Sequence, residues 1–223
     1  MMLLQNETTK LQRRLLSLAA LVEDALTRAV RALSSRNQEL AVAVIDGDAT
    51  IDACEVELEE ECLKVLALHQ PVAQDLRAIV GLLKINSDLE RIGDYGVSIA
   101  KRAAALAAKE EQPGALHPDF RPLLERALKS LSDAIDAFVR MDAAGAWRVR
   151  ESEAEFESAR KAVTRDLTQN ICQANEPAKV EAALEWLRVA RSLERIVEHA
   201  TGIAEDVIYI VEGVIVRHDH KGA

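Results

Sequence analysis

The chain has 223 residues, 49% of them hydrophobic and 29% charged, and a net charge of −9. That much apolar material supports one large core or two modest ones, so the chain is not disordered, and the acidic balance argues against nucleic acid, whose phosphates need a concentrated Lys/Arg surface. Aromatic residues are only 3% while Ala and Leu recur throughout, a composition that favours closely packed helices over sheets.

In chain order the pattern predicts six long helices in two sets of three. The first covers about 3–33, with Leu11, Leu15, Leu18, Val22, Leu26, Ala29 and Leu33 at three- and four-residue spacing. Ser34, Ser35, Arg36 and Asn37 break it. The second covers about 38–68 and stops before Pro71, which suits the opening turn of a third helix over about 72–109. Residues 111–118 hold two prolines and a glycine and form the midpoint loop. The plan then repeats: about 119–141, a break near Asp142 to Gly145, about 147–173, a break before Pro177, and about 178–212. The expected architecture is all-α, two tandem three-helix bundles related by a pseudo-twofold internal repeat. The units would be residues 1–112 and 118–216, with 217–223 as a flexible tail.

No stretch reaches 18 apolar residues without a charge, and the N-terminus has no basic region followed by a long apolar run, so a soluble cytoplasmic protein is expected. Cys54, Cys62 and Cys172 show no paired spacing, which fits a reducing interior better than a disulfide framework or a zinc site. Trp147 and Trp186 are expected as packing anchors. His69, His117, His218 and His220 are expected to be surface, capping or tail residues.

The repeat is clearest in one phrase. Leu89-Glu90-Arg91-Ile92-Gly93-Asp94 returns as Leu193-Glu194-Arg195-Ile196-Val197-Glu198, 104 residues later (194 − 90). Each copy carries two carboxylates four residues apart, on one face of a helix, where they repel unless a cation or basic group lies between them. Continuing the apolar line of Val72, Leu76, Ile79 and Leu83 leads to Glu90 and Asp94, and that of Val180, Leu184 and Leu187 leads to Glu194 and Glu198. On the second helix Asp48 and Asp52, with Glu55 and Glu59 after them, form an acidic ridge near Ile45, Val56 and Leu63. The corresponding place in the other half, at an offset of 103 (151 − 48), holds Glu151 and Glu155, off the apolar line of Val149, Phe156, Val163 and Leu167. Four such pairs suggest two carboxylate patches for hard cations: magnesium, calcium, manganese or iron, with zinc less suited. Spacing alone equally allows surface acids paired with Arg91 and Arg195.

Residues 70–79, Gln-Pro-Val-Ala-Gln-Asp-Leu-Arg-Ala-Ile, followed by Asp88-Leu89-Glu90-Arg91-Ile92-Gly93-Asp94 and Ile99-Ala100-Lys101, resemble the PhoU family, and the second copy through Tyr209 resembles that family's second repeat. The resemblance implies a cytoplasmic negative regulator of the phosphate-starvation response and phosphate homeostasis. Such a protein couples the ATPase subunit of a phosphate ABC transporter to a sensor histidine kinase, is a homodimer or higher homo-oligomer, and meets the membrane only through its partners. It also implies metal ions on Asp48, Asp52, Glu90 and Asp94 in the first half and on Glu151, Glu155, Glu194 and Glu198 in the second. Two departures stand out: Val197-Glu198 replaces the usual Gly-Asp of the second motif, and Tyr95 stands where histidine is common. A metal-free helical adaptor is the alternative reading. A di-iron enzyme of the ferritin type would need Glu-x-x-His on two helices, and no histidine here has a Glu three residues before it, so no enzyme is expected.

Overall fold

The computed structural model describes residues 2–108 and 120–217. These form α1 (Met2–Ser35), α2 (Gln38–His69), α3 (Ala73–Ala107), α4 (Phe120–Arg140), α5 (Ala143–Gln173) and α6 (Pro177–Glu212). The midpoint loop expected over 111–118, with His117, and the tail residues His218 and His220 lie outside the described residues.

Helix α3 packs against α1 and α2, α6 packs against α4 and α5, and α3 and α6 lie against each other as the seam between the halves. The architecture is two tandem three-helix bundles. The α1 stripe is as expected: Leu11, Leu15, Leu18, Val22, Leu26, Ala29 and Leu33 are all buried. So is the α5 line of Val149, Phe156, Val163 and Leu167.

Three of the expected stripes are corrected. Val72, which precedes α3, and Leu76 in its first turn are exposed, at 74% and 41%, and the buried positions of α3 include Ile79, Leu82, Ile85, Leu89, Ile92, Val97 and Ile99. Leu184 on α6 and Val56 and Leu63 on α2 are exposed as well. The central helices are covered from several sides, by α1, α2 and α6 around α3 and by α4, α5 and α3 around α6. Their buried residues therefore wrap most of the helix instead of following one line.

The turn chemistry shows where each helix begins. Asn37 caps α2, its Oδ1 accepting from the Leu40 N–H at 2.9 Å. Arg36 just before it has φ 50°. The α4–α5 turn is the same turn: Met141 has φ 49°, Asp142 is the N-cap residue, and its N–H bonds the Ala137 carbonyl at 2.9 Å as the Asn37 N–H bonds that of Ala32 at 3.0 Å. The α5 helix therefore starts at Ala143, four residues earlier than expected. This turn sets the register: Arg36 and Met141 are 105 residues apart (141 − 36), and at that offset buried Ala41, Val44, Ile51, Leu58 and Cys62 fall on buried Ala146, Val149, Phe156, Val163 and Leu167. Pro177 opens α6, whereas α3 starts two residues after Pro71, at Ala73. Gly213, with φ 74°, ends α6 in the left-handed conformation that favours glycine.

Contacts across the seam occur in mirrored pairs. Ser192 Oγ donates to Ser98 Oγ at 3.2 Å, and the positions 104 residues on and back, Gly202 and Asp88, are again neighbours, with a Cβ at Gly202 falling 3.0 Å from Asp88 Oδ2. Tyr95 and His199 are themselves 104 residues apart (199 − 95), and their rings stack on each other at 5.8 Å. They sit at the pseudo-twofold axis. A Cβ at Gly81 would lie 2.5 Å from the Ile210 side chain, so α3 and α6 approach closely there because position 81 has no side chain. Trp186 is buried against Phe120, ring centroids 4.6 Å apart, while Trp147 is partly exposed with the Arg150 guanidinium 5.4 Å from its ring centroid.

Candidate metal centre

The first-half acids converge. Asp48 and Asp52 on α2 and Glu90 and Asp94 on α3 lie in one patch, and Asp52 and Asp94 act on both Asp48 and Glu90. Burial pushes the Asp48 carboxyl above the usual carboxylate range, and Asp52 and Asp94 push it further. Burial likewise raises Glu90, with Asp94, Glu55 and Asp52 adding to it against the pull of Arg91. Glu55 belongs to the same patch: burial, Glu59 and Asp52 hold it high. Asn86, 1% exposed, donates its amide to the Glu55 carbonyl at 2.9 Å and to Glu55 Oε1 at 3.3 Å. Glu55 was visible in the sequence as part of the ridge, but its place on the inner face depends on the α2 phase. Among the described residues the cation that pairs with Glu90 and Asp94 is the exposed Arg91, 3.4 Å from Glu90 and 3.3 Å from Asp94.

The second half is built differently. Glu151 and Glu155 are exposed, and Glu155 reaches out to Arg126 at 3.7 Å. The acids that α5 turns toward α6 are Glu153 and Glu157, the matches of Asp48 and Asp52 at the 105-residue offset given by the turns. Burial raises Glu153, with Glu198 and Glu205 nearby. Glu157 is held below the usual range by Arg160, which bonds both its oxygens at 2.7 and 2.8 Å and reaches Glu194 at 3.0 Å. Arg160 stands 105 residues after Glu55 (160 − 55). A guanidinium thus sits where the first half has a carboxylate, and Arg195 holds Glu198 at 2.6 Å.

The two patches differ in what they could hold. Among the described residues no three His, Cys, Asp or Glu side chains are close enough, as placed, to hold a metal ion. The first patch still fits a hard cation in its donor chemistry: oxygen donors only, Asp48 and Glu90 raised by burial and then by neighbouring carboxylates, and Asp48 Oδ1 and Asn86 Oδ1 buried without a hydrogen-bond partner. In the second, Arg160 already supplies a positive charge, bonding both oxygens of Glu157 and pairing with Oε1 of Glu194.

A family model described as the PhoU domain matches twice, over residues 15–103 and 120–207. The chain belongs to the PhoU family. The two PhoU domains coincide with the two three-helix units. The chain is 37% identical to a protein of Aquifex aeolicus named phosphate-specific transport system accessory protein PhoU homolog, over 98% of this chain and 97% of that one. It is 33% identical to the PhoU of Serratia marcescens over 95% of this chain and 86% of that one. Among solved structures, PhoU from Pseudomonas aeruginosa superposes with a TM-score of 0.89 at 35% identity, covering 94% of this chain and 99% of that one. PhoU from Streptococcus pneumoniae, titled a phosphate transport system regulatory protein, gives 0.86 at 26% identity, covering 96% and 99%. No helix among the described residues is long and apolar enough to cross a membrane.

Proposed function

We propose that this chain is an accessory protein of a phosphate-specific transport system that restrains the phosphate-starvation response by protein contact and has no turnover of its own. The observation that carries the reading is the two-domain match, in order and over nearly the whole chain, to relatives named for that transport system. Its partners in this reading are the transporter's ATPase subunit and a sensor histidine kinase, met in the cytoplasm as a homodimer or higher oligomer. Deleting the gene in its host should leave phosphate-scavenging genes expressed in phosphate-replete medium; normal repression in the deletant would sink the proposal.

The same reading gives the first patch a divalent or ferric ion held by Asp48, Asp52, Glu90 and Asp94, with Glu55 beside them. The ion would supply the positive charge that these acids lack, joining α2 to α3. Support comes from the unpartnered Asp48 oxygen and the mutual repulsion of the acids. Elemental analysis of the purified protein should find bound metal, and Glu90→Gln/Asp94→Asn should remove it. Metal content unchanged by the double substitution would rule the patch out. For the second half the metal-free reading is favoured, on the observation that Arg160 bridges Glu157 and Glu194.

A further inference from the structure

The pseudo-twofold maps one end of the α3–α6 seam onto the other, yet two matched pairs have opposite charges and two more are charged at one end only. Lys101 and Arg102 at one end correspond, 104 residues on, to Glu205 and Asp206 at the other; Arg191 and Ser192 correspond to Ser87 and Asp88. A plain duplication would give both ends the same charge. The first end opens into a cleft of about 630 Å³, within the range of small-molecule sites. Into it converge Arg91, Lys101, Arg102, Arg188, Arg191 and Arg195, against only Asp48 and Asp94 in its walls. The lining therefore carries a net charge of +4 (6 − 2) in a chain whose total is −9.

Four of the six cations have carboxylate partners: Arg91 has Glu90 and Asp94, Arg102 and Arg188 share Glu185, and Arg195 has Glu198. Lys101 and Arg191 are exposed, and neither makes an ion pair or side-chain hydrogen bond among the described residues. Arg102 Nε is buried and has no hydrogen-bond partner. The Ser98 and Ser192 hydroxyls, bonded to each other, also line the cleft. Guanidinium forks and hydroxyls are donors matched to phosphate oxygens, and Arg recognises them bidentately.

We infer that this cleft binds an oligophosphate, a chain of two or more linked phosphates such as pyrophosphate, tripolyphosphate or the phosphate tail of a nucleotide. Cations contributed by two facing helices suit several linked phosphates better than one. The inference does not rest on the proposed regulatory role, and it needs no metal, although the cleft shares Asp48 and Asp94 with the acidic patch.

The test is calorimetric titration of metal-stripped, full-length protein with inorganic phosphate, pyrophosphate and tripolyphosphate in chelator-free buffer, with and without magnesium. Tripolyphosphate should bind tightest, without magnesium, and more weakly as salt rises. The double variant Lys101→Glu/Arg191→Ser, which installs the residue types of the opposite end, should weaken it at least tenfold. Both side chains are exposed, and an unchanged melting curve will confirm that the variant folds. Binding that appears only with magnesium would place the phosphates on an ion held by the acids of the wall, Asp48 and Asp94, instead of on the free cations, and overturn the inference. So would binding undiminished in the double variant, no saturation by millimolar ligand, or saturation by an acidic peptide alone.

Discussion

Replacing Arg160 with glutamate should turn the second acidic patch from one that neutralises itself into one that needs a cation. In the wild type this guanidinium bonds Glu157 twice and reaches Glu194, and its side chain is 16% exposed. Charge-assisted hydrogen bonds of this kind are worth roughly 1.5–3 kcal/mol each when lost, less where solvent reaches them. The variant also adds a carboxylate beside Glu157, Glu194 and Glu198. Together these should cost about 3 kcal/mol in metal-stripped protein, a fall of roughly 10 °C in Tm for a chain of this size. Millimolar magnesium, calcium or manganese should restore more of that loss in Arg160→Glu than in Arg160→Ala, and bound metal should rise only in the former. An unaltered melting temperature, or metal content in the wild type that depends on Glu194, would show that Arg160 is not the internal cation of this patch.

The second large effect concerns Asp206, whose carboxyl is 1% exposed at the end of the seam opposite the basic cleft. Burial pushes it up to about 6 although Arg217 at 2.8 Å and Lys84 at 3.4 Å pull it down, and Asp88 adds to the rise. A carboxyl whose folded value lies above its unfolded value binds protons more readily when folded. Its contribution to stability is fully present below about 4 and is lost as the pH rises through about 6. Two units correspond to roughly 3 kcal/mol. Asp206→Asn should therefore be more stable than wild type at pH 7, by up to about that amount, and the difference should vanish near pH 4. Lys84 and Arg217 are about one-third exposed and can hydrate when the charge is removed. Urea unfolding of both proteins at pH 4, 5, 6 and 7 measures it, and a substitution that destabilises equally at every pH would show the ion pairs to outweigh burial. Asp48, Glu55, Glu90 and Glu153 are raised by burial too and act in the same direction, whereas Glu157, lowered by Arg160, acts in the opposite one.

Much of the fold was legible because long helices carry many periods. The α1 stripe and the α5 line needed no tertiary information, since each of those helices keeps an exposed face opposite its buried one. The α3 and α6 lines failed at Val72, Leu76 and Leu184 because a helix surrounded by neighbours has no single apolar face to extrapolate. Glu90 and Asp94 were legible from the repeated phrase. Glu153 and Glu157 were missed because α5 was aligned by matching acid to acid, which selected Glu151 and Glu155 at an offset of 103. The turn residues would have set the register: Asn37 and Asp142, each preceded by a residue with positive φ, are 105 apart (142 − 37). Arg160 was invisible to a search for carboxylates, because its importance lies in standing where the first half has Glu55.

The stacked Tyr95 and His199 carry a consequence for how such a chain can change. At a true twofold axis a residue meets its own copy, so any substitution enters both sides of the contact at once and must suit itself. Once two copies are joined in one polypeptide, that constraint ends, and a tyrosine can face a histidine. The same release lets one end of the seam gather arginines while the other buries an aspartate, an arrangement that a dimer of identical halves cannot reach.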